Sequence, residues 1–285
     1  MSVLRSRIAR SAAVAGVALA LAALTACSSA APTPTPKATT GAPALQTLTP
    51  GKLTIATGQP SYSPWVIDDK PESGKGFEAA VAYAVAKKLG YSANNVVWVR
   101  TTFDSAIAPG PKTFDLNLQQ FSVTSQRKKA VDFSSPYYTT TQALVTKKGT
   151  AAASITTLAG LKAIKIGVAE GTTSYNVVLK DVGVQPQVYN TNDDAVLALK
   201  SGQVDAIAVD LPTAFYLADA QIKNGEVLGQ FADTAGGDQF AFVLPKDSPI
   251  TKPVSAAVDA IRKDGQLAAI TKQWLSTSVN VPVFS

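Results

Sequence analysis

The chain of 285 residues contains no histidine, one cysteine and one methionine. Without histidine, Ser-His-Asp and Cys-His nucleophilic chemistry and the common imidazole-ligated metal sites are excluded. Without a second cysteine there is no intrachain disulfide, no CxxC redox motif and no thiolate zinc cluster. An enzyme built on this chain would need carboxylates, lysine or tyrosine for its proton transfers, and no motif implies a cofactor or a metal. Strong charge is also lacking. Three of the 26 bases are Arg5, Arg7 and Arg10; without them 23 bases face 20 acids, a net of +3. Basic runs such as Arg127-Lys128-Lys129 are short and scattered, which excludes an obvious nucleic-acid footprint.

What is present begins with a segment outside the fold. The three arginines precede "AAVAGVALALAAL" (12–24), an apolar stretch too short for a comfortable permanent span. "LTAC" (24–27) then places the single cysteine after small residues, an arrangement that resembles a bacterial lipobox. Residues 1–26 are expected to be a lipoprotein signal peptide and Cys27 the lipid-modified terminus; an ordinary signal peptide or a short membrane anchor is the alternative. "SSAAPTPTPKATTGAPALQT" (28–47) is Pro-, Thr- and Ala-rich with almost nothing to bury, so 27–48 read as a flexible or polyproline-like tether. The remaining residues, roughly 240 of them, are enough for a full core in one or two lobes.

Periodicity organises that remainder as α/β. "KLTIAT" (52–57) is a buried strand running into the loop "GQPSYSPW". In "FEAAVAYAVAKKLG", Phe77, Val81, Val85 and Leu89 share a helix face, Glu78 lies in the first turn, Lys87 and Lys88 in the last, and Gly90 at the stop. "NVVWVR" (95–100) is a second strand, and strand-helix-strand predicts a parallel sheet. "FDSAIAPGPKTFDLNLQQ" (103–120) and "DDAVLALKSGQVDAIAVD" (193–210) repeat one design: helix, break, Asp-led strand. "AIKIGVAEGTTS" (163–174) gives a strand and a Gly-Thr-Thr turn into a helix, and 255–275 give two helices separated at Gly265. Two α/β lobes of similar construction are the simplest reading.

In open α/β sheets, ligands bind beyond the carboxyl ends of the strands. Those ends here carry Gln59, Tyr62 and Trp65; then Gln119, Gln120 and Ser122; then Glu170, Gly171, Thr172 and Thr173; then Asp210. Arg127 falls in the first turn of a short helix capped by Thr124, where a cation opposes the helix dipole unless an anion shares the site. A carboxylate held by the guanidinium, Ser122 and nearby backbone N–H groups would resolve the conflict. A solvated arginine, or one paired with Asp132, is the competing reading.

The run "GFEAAVAYAVAKKLGY…FDSAIAPGPKTFDLNLQQFSVTSQRKKAVDFSSPYY…IKIGVAEGTTS…GQVDAIAVD…DGQLAAITKQWL" resembles the extracellular solute-binding proteins of family 3, from about Lys52 to about Leu275. These are polar amino-acid receptors of ABC importers with the type II periplasmic-binding-protein fold. The resemblance implies two open α/β lobes, 49–142 plus 243–285 and 143–242, joined by two crossover strands near 143–146 and 240–243. It implies a monomer held by its lipid on the extracytoplasmic face of the cell membrane, serving a membrane permease. It also implies roles: Arg127 holds the ligand α-carboxylate with Ser122 and Thr173, Asp210 pairs with the α-ammonium, and Tyr62, Phe103 and Trp65 lie about the side chain, with Gln119, Gln120 and Thr172 nearby. The three aromatics could instead be core, and Asp210 could cap the helix after Pro212.

Two departures bear on the ligand. Gln119-Gln120 stands where many relatives have a small residue. The loop "GQPSYSPW" has no acid, whereas relatives that take lysine or arginine place one there, so a side-chain cation would need Glu170. An uncharged polar or aromatic side chain is therefore expected. The rival readings are a receptor for another small carboxylate-bearing solute and an enzyme on the same fold, such as a cyclohexadienyl dehydratase. The general acid of that enzyme follows the Gly-Thr turn, where this chain has Ser174. The anchor is directly checkable: metabolic labelling with a fatty acid should mark the wild type and leave Cys27→Ser unlabelled, and equal labelling of both would remove the lipobox reading.

Overall fold

The computed structural model describes residues 45–232, 237–275 and 281–285. The expected signal peptide, Cys27 and most of the tether lie outside the described residues. Among those described, no helix is long and apolar enough to cross a membrane.

The chain opens with β1 (Leu53–Gly58), buried along its whole length. After the Pro- and Ser-rich loop comes α1 (Phe77–Lys88). Phe77, Val81 and Val85 on its inner face are fully buried, as the four-residue spacing requires. Gly76 starts this helix at φ 104°, and a Cβ there would meet the Trp65 carbonyl oxygen at 2.5 Å, so the loop can lie down only over glycine. β2 (Val96–Thr101) pairs parallel to β1, and α2 (Phe103–Ile107) follows under the Thr102 cap. β3 (Leu116–Asn117) pairs parallel on the other side of β1, and β4 (Val131–Phe133) ends this passage.

The chain then runs through β5 (Tyr138–Thr140) into β6 (Gln142–Lys147), the first strand of a second sheet. That lobe continues with α3 (Leu158–Leu161), β7 (Ile166–Ala169), α4 (Thr173–Val177), β8 (Gln187–Tyr189), α5 (Asn192–Ser201), β9 (Ala206–Asp210), α6 (Leu211–Tyr216) and β10 (Gly225–Gln230). It returns through β11 (Asp238–Phe240) to β12 (Val243–Pro245), then forms α7 (Thr251–Lys263) and α8 (Gln266–Trp274), separated at Gly265 with φ 80°. The sheet orders are β2-β1-β3-β12-β4 and β10-β6-β9-β7-β8, with β11 and β5 forming a two-stranded sheet of their own. In each five-stranded sheet the parallel strands place their carboxyl ends along one edge.

The crossings differ from expectation. Residues 143–146 sit inside β6, and the strand that leaves the first lobe is Tyr138–Thr140, paired antiparallel with Asp238–Phe240. The physical reason is burial: Ala143, Leu144, Val145 and Thr146 are all 0 % exposed, so they belong in a sheet interior. The Tyr-Thr-Thr stretch before them is less buried and free to bridge. Helices α7 and α8 share a core with Phe77, Val81 and Val85 through Val254, Val258, Ile261, Leu267 and Ile270. The last residues do otherwise. Phe284 is buried among second-lobe residues and packs on Phe231 with ring centroids 5.3 Å apart. The Gln230 and Phe284 backbone N–H groups donate to Pro282 and Gln230 carbonyls at 2.8 and 3.0 Å. Assigning all of 243–285 to the first lobe therefore needs amending at Val281–Ser285.

Glu78 exceeds its expected role as a first-turn acid. It is 1 % exposed, and its Oε1 accepts from the Tyr137 hydroxyl at 2.5 Å and the Gln120 backbone N–H at 2.7 Å, while Oε2 accepts from the Gln120 side-chain amide. Burial pushes its carboxyl up to about 7 despite those three donors. A folded-state value above the unfolded one favours the protonated form, so this stability is complete below about pH 4.5 and is lost as pH rises through 7. Glu78→Gln is isosteric and cannot titrate. Between pH 5 and 8 the wild type should lose roughly 3 kcal/mol or less of thermal stability relative to Glu78→Gln. Parallel pH curves for the two proteins would show that Glu78 does not titrate in this range.

Candidate functional site

The strand ends of the two sheets open on one cavity of about 450 Å³. From the first lobe it is lined by the loop after β1 from Gly58 to Tyr62, by Thr101 to Asp104 after β2, and by Gln119, Gln120, Ser122 and Arg127 beyond β3. From the second lobe come Glu170, Thr172 and Thr173 after β7, Asn190 to Asn192 after β8, and Asp210 at the end of β9. Of the ten ligand-contact residues expected from sequence, the structure gathers nine here: Tyr62, Phe103, Gln119, Gln120, Ser122, Arg127, Thr172, Thr173 and Asp210. Trp65 is the exception.

Trp65 is 1 % exposed and sits edge-on to Phe77, Tyr138 and Phe240 at 5.7–5.9 Å, at the base of the crossing strands. Its Nε1 donates to Thr213 Oγ1 at 3.0 Å on α6 of the other lobe. It is a core residue that joins the lobes, because its large ring follows a loop turned inward over Gly76.

Arg127 opens a short 3-10 turn, Arg127–Lys129, later than the helix expected after Thr124; Gln126 stands at its N-cap without a side-chain bond, while Thr124 Oγ1 accepts from the Arg127 backbone N–H at 3.1 Å. Its side chain is 8 % exposed. One Nη donates to the Ser122 carbonyl at 2.7 Å and the other to the Gly171 carbonyl of the second lobe at 2.8 Å. The guanidinium carbon lies 5.2 Å from the centroid of the Phe103 ring, which stacks in turn on Phe121 at 4.7 Å. Among the described residues no ion pair involves Arg127, and Asp132 is bonded instead to Lys246 at 3.0 Å. Burial lowers the guanidinium from its usual value, against the opposing fields of Asp238, Asp210 and Asp104.

Asp210 makes no side-chain cap to α6. Its Oδ1 accepts from Gln142 Nε2 at 2.6 Å. Burial first, and then the charge of Asp238, raise its carboxyl to about 8, while Gln142 and Arg127 pull it back. Ser122 Oγ stands 3.4 Å from Thr173 Oγ1 across the cleft, and Thr172 Oγ1 donates to the Ala169 carbonyl at 2.8 Å. Tyr62 reaches over the cavity, its hydroxyl donating to Asp193 Oδ2 at 2.7 Å. Gln120 has φ 51° and its side-chain amide is turned to Glu78, away from the space a bulky amide was expected to fill. Gln119 Nε2 donates to Thr101 Oγ1 at 2.7 Å and Asn117 Oδ1 at 3.0 Å, which fixes it as a wall.

The cavity therefore offers a buried guanidinium without a carboxylate partner from one lobe, and from the other a carboxyl whose ionisation a nearby cation would favour. Sequence reasoning missed Gln142, Asp238, Asp104 and Asp193. None of the four carried a local pattern that marks it as part of a site. Glu170 does line the cavity but is exposed. Ser174, at the position where the dehydratase reading needs an acid, is buried and donates to Gln142 Oε1 at 2.6 Å.

Comparison with known proteins agrees with this geometry. Residues 53–277 match the bacterial extracellular solute-binding proteins, family 3. A probable histidine-binding protein of Campylobacter jejuni is 31 % identical over 78 % of this chain and 85 % of its own length. Among solved structures, an ancestral arginine-binding protein bound to arginine aligns with a TM-score of 0.66 and 32 % identity, over 79 % of this chain and 99 % of the other. An ancestral amino-acid-binding protein described as a precursor of cyclohexadienyl dehydratase aligns with a TM-score of 0.65 and 30 % identity, over 79 % and 96 %. These relatives are binding proteins with the two-lobed type II periplasmic-binding-protein architecture. The chain belongs to the bacterial extracellular solute-binding proteins of family 3.

Proposed function

We propose that this chain is a membrane-tethered receptor that captures one amino acid between its lobes and presents it to the permease of an ABC importer. It would work as a monomer without a cofactor, on the extracytoplasmic face of the cell membrane, held there through Cys27. The observation that carries the reading is the pairing of Arg127 from the first lobe with Asp210 from the second on one cavity. A guanidinium fork complements a carboxylate, and an ionised aspartate complements an ammonium. Only a solute bearing both groups uses both. Ser122 and Thr173 would add hydroxyl donors to the carboxylate, and Tyr62 and Phe103 would flank the side chain.

Because its two polar ends belong to different lobes, such a solute gains contacts in the closed form that the open form lacks. Binding then shifts the population toward closure. For the side chain we assign an uncharged polar or aromatic group. Asp69, near the first loop, already accepts from Ser61 and Arg100, and Asp193 from Tyr62. Asp104 and Glu170 are the acids left to face a cationic side chain, so arginine, lysine and histidine belong in the same screen.

Thermal melting against the common L-amino acids should single out one or a few that raise stability, by about 2.7 kcal/mol at a hundredfold excess over Kd. Arg127→Ala should abolish that shift while lowering stability without added solute by no more than a few kcal/mol, the lost bonds to the Ser122 and Gly171 carbonyls being partly offset by removal of a buried charge. A panel with no active member, or a shift that persists in Arg127→Ala, would overturn the assignment.

A further inference from the structure

Gln142 occupies a place that capture of a solute does not by itself require. It is the first residue of β6, two positions after the end of the crossing strand β5, and it is 4 % exposed. A side-chain amide has two protons to donate. Here Nε2 lies 2.6 Å from Asp210 Oδ1 on the cavity wall and 2.6 Å from Asp238 Oδ2 on the returning crossing strand β11. Its Oε1 is taken by Ser174 Oγ at 2.6 Å. Thr173 Oγ1, which also lines the cavity, donates to the same Asp238 oxygen at 2.7 Å. One neutral amide thus holds two carboxyls from two strands while its oxygen accepts from Ser174.

We infer that Gln142 is a positioning residue that yokes Asp210 to Asp238, so that the charge of the cavity carboxyl is set from the crossing between the lobes. The bond to Oδ1 fixes the carboxyl of Asp210 and leaves its Oδ2 free of any hydrogen bond to the described residues. Two carboxyls across one amide oppose double ionisation. The other charged or titratable groups facing Asp210 are Arg127 from its 3-10 turn, Glu78 from α1, and Tyr137 and Tyr138 at the start of the crossing. Of the acids among them, Asp238 is second only to burial in raising Asp210. The strand that carries it is also a strand that must flex when the lobes part. Displacement of β11 would therefore change how readily Asp210 ionises. The link from this pair to solute capture rests on Asp210 being the ammonium partner; the pairing itself does not.

The test is the carboxyl ¹³C titration of Asp210 in the purified chain with no amino acid added, its resonance assigned by its loss in Asp210→Asn. Asp238→Asn keeps the size of the side chain and an oxygen for Gln142 and Thr173, and removes the charge. It should lower the Asp210 midpoint by about one pH unit or more. Gln142→Leu removes the donor that favours the ionised form and should raise it. An Asp210 midpoint unmoved by Asp238→Asn overturns the inference, whether or not Gln142→Leu folds. The reading is taken without solute, so it stands or falls separately from the melting screen.

Discussion

A single cation taken out of water organises this molecule. Arg127 is 8 % exposed and holds the Ser122 carbonyl with one nitrogen and the Gly171 carbonyl with the other. Those carbonyls belong to different lobes, so the guanidinium is a bracket between them. Glycine suits position 171 in this bracket: its φ is 70°, in the left-handed region that favours glycine, and a Cβ there would force the Asp104 side chain to move. Carbonyl oxygens satisfy part of the guanidinium without neutralising it, and a buried charge left unneutralised is costly. An anion of the proposed solute would complete the site, since the neighbouring fields of Asp210, Asp238 and Asp104 supply only part of what is needed.

Closure has other direct supports. The Tyr62 hydroxyl bonds to Asp193, and the Trp65 indole bonds to Thr213, each from first lobe to second. A net hydrogen bond contributes roughly 1 kcal/mol, somewhat more to a charged group. Three such links, counting the one to Gly171, make a bias of a few kcal/mol before the entropy of ordering is deducted. A change from 1:99 to 99:1 needs about 5.5 kcal/mol of differential affinity. In the proposed capture these bonds, with the longer Ser122–Thr173 contact, would tilt the lobes toward closure without locking them. Two opposite charges on one solute can supply the remainder.

Most of this frame was legible in the chain. The four-residue spacing of Phe77, Val81 and Val85 and the Asp-led strands ending at Gln119 and Asp210 identify elements whose ends must meet, because parallel sheets put those ends on one edge. What periodicity cannot reveal is the direction a side chain takes once its neighbours are known. Trp65 looked like the loop aromatics beside it, yet its ring fell into the core once Gly76 turned the chain. Gln120 looked like an obstruction, yet a left-handed backbone swings its amide to Glu78. The Gln142–Asp238 pairing spans 96 positions and leaves no local trace. The crossing was misplaced by a few residues because burial, and not apolar character alone, separates β6 from β5.

The raised carboxyl of Asp210 invites two opposite readings, and they make different demands on its surroundings. A general acid needs an elevated value and a substrate atom to protonate. An ammonium partner shows the same elevation whenever the ammonium is missing, because burial and Asp238 then act on it without a local counter-charge. The two readings diverge in what surrounds the group. The dehydratase reading needs an acid at residue 174, whereas a serine stands there and its hydroxyl is spent on Gln142. Gln142 in turn donates to both carboxyls, which opposes but does not reverse the rise that burial and Asp238 impose on Asp210. With Arg127 on the same cavity, the proposed zwitterion would meet a cation at one end and a carboxyl at the other.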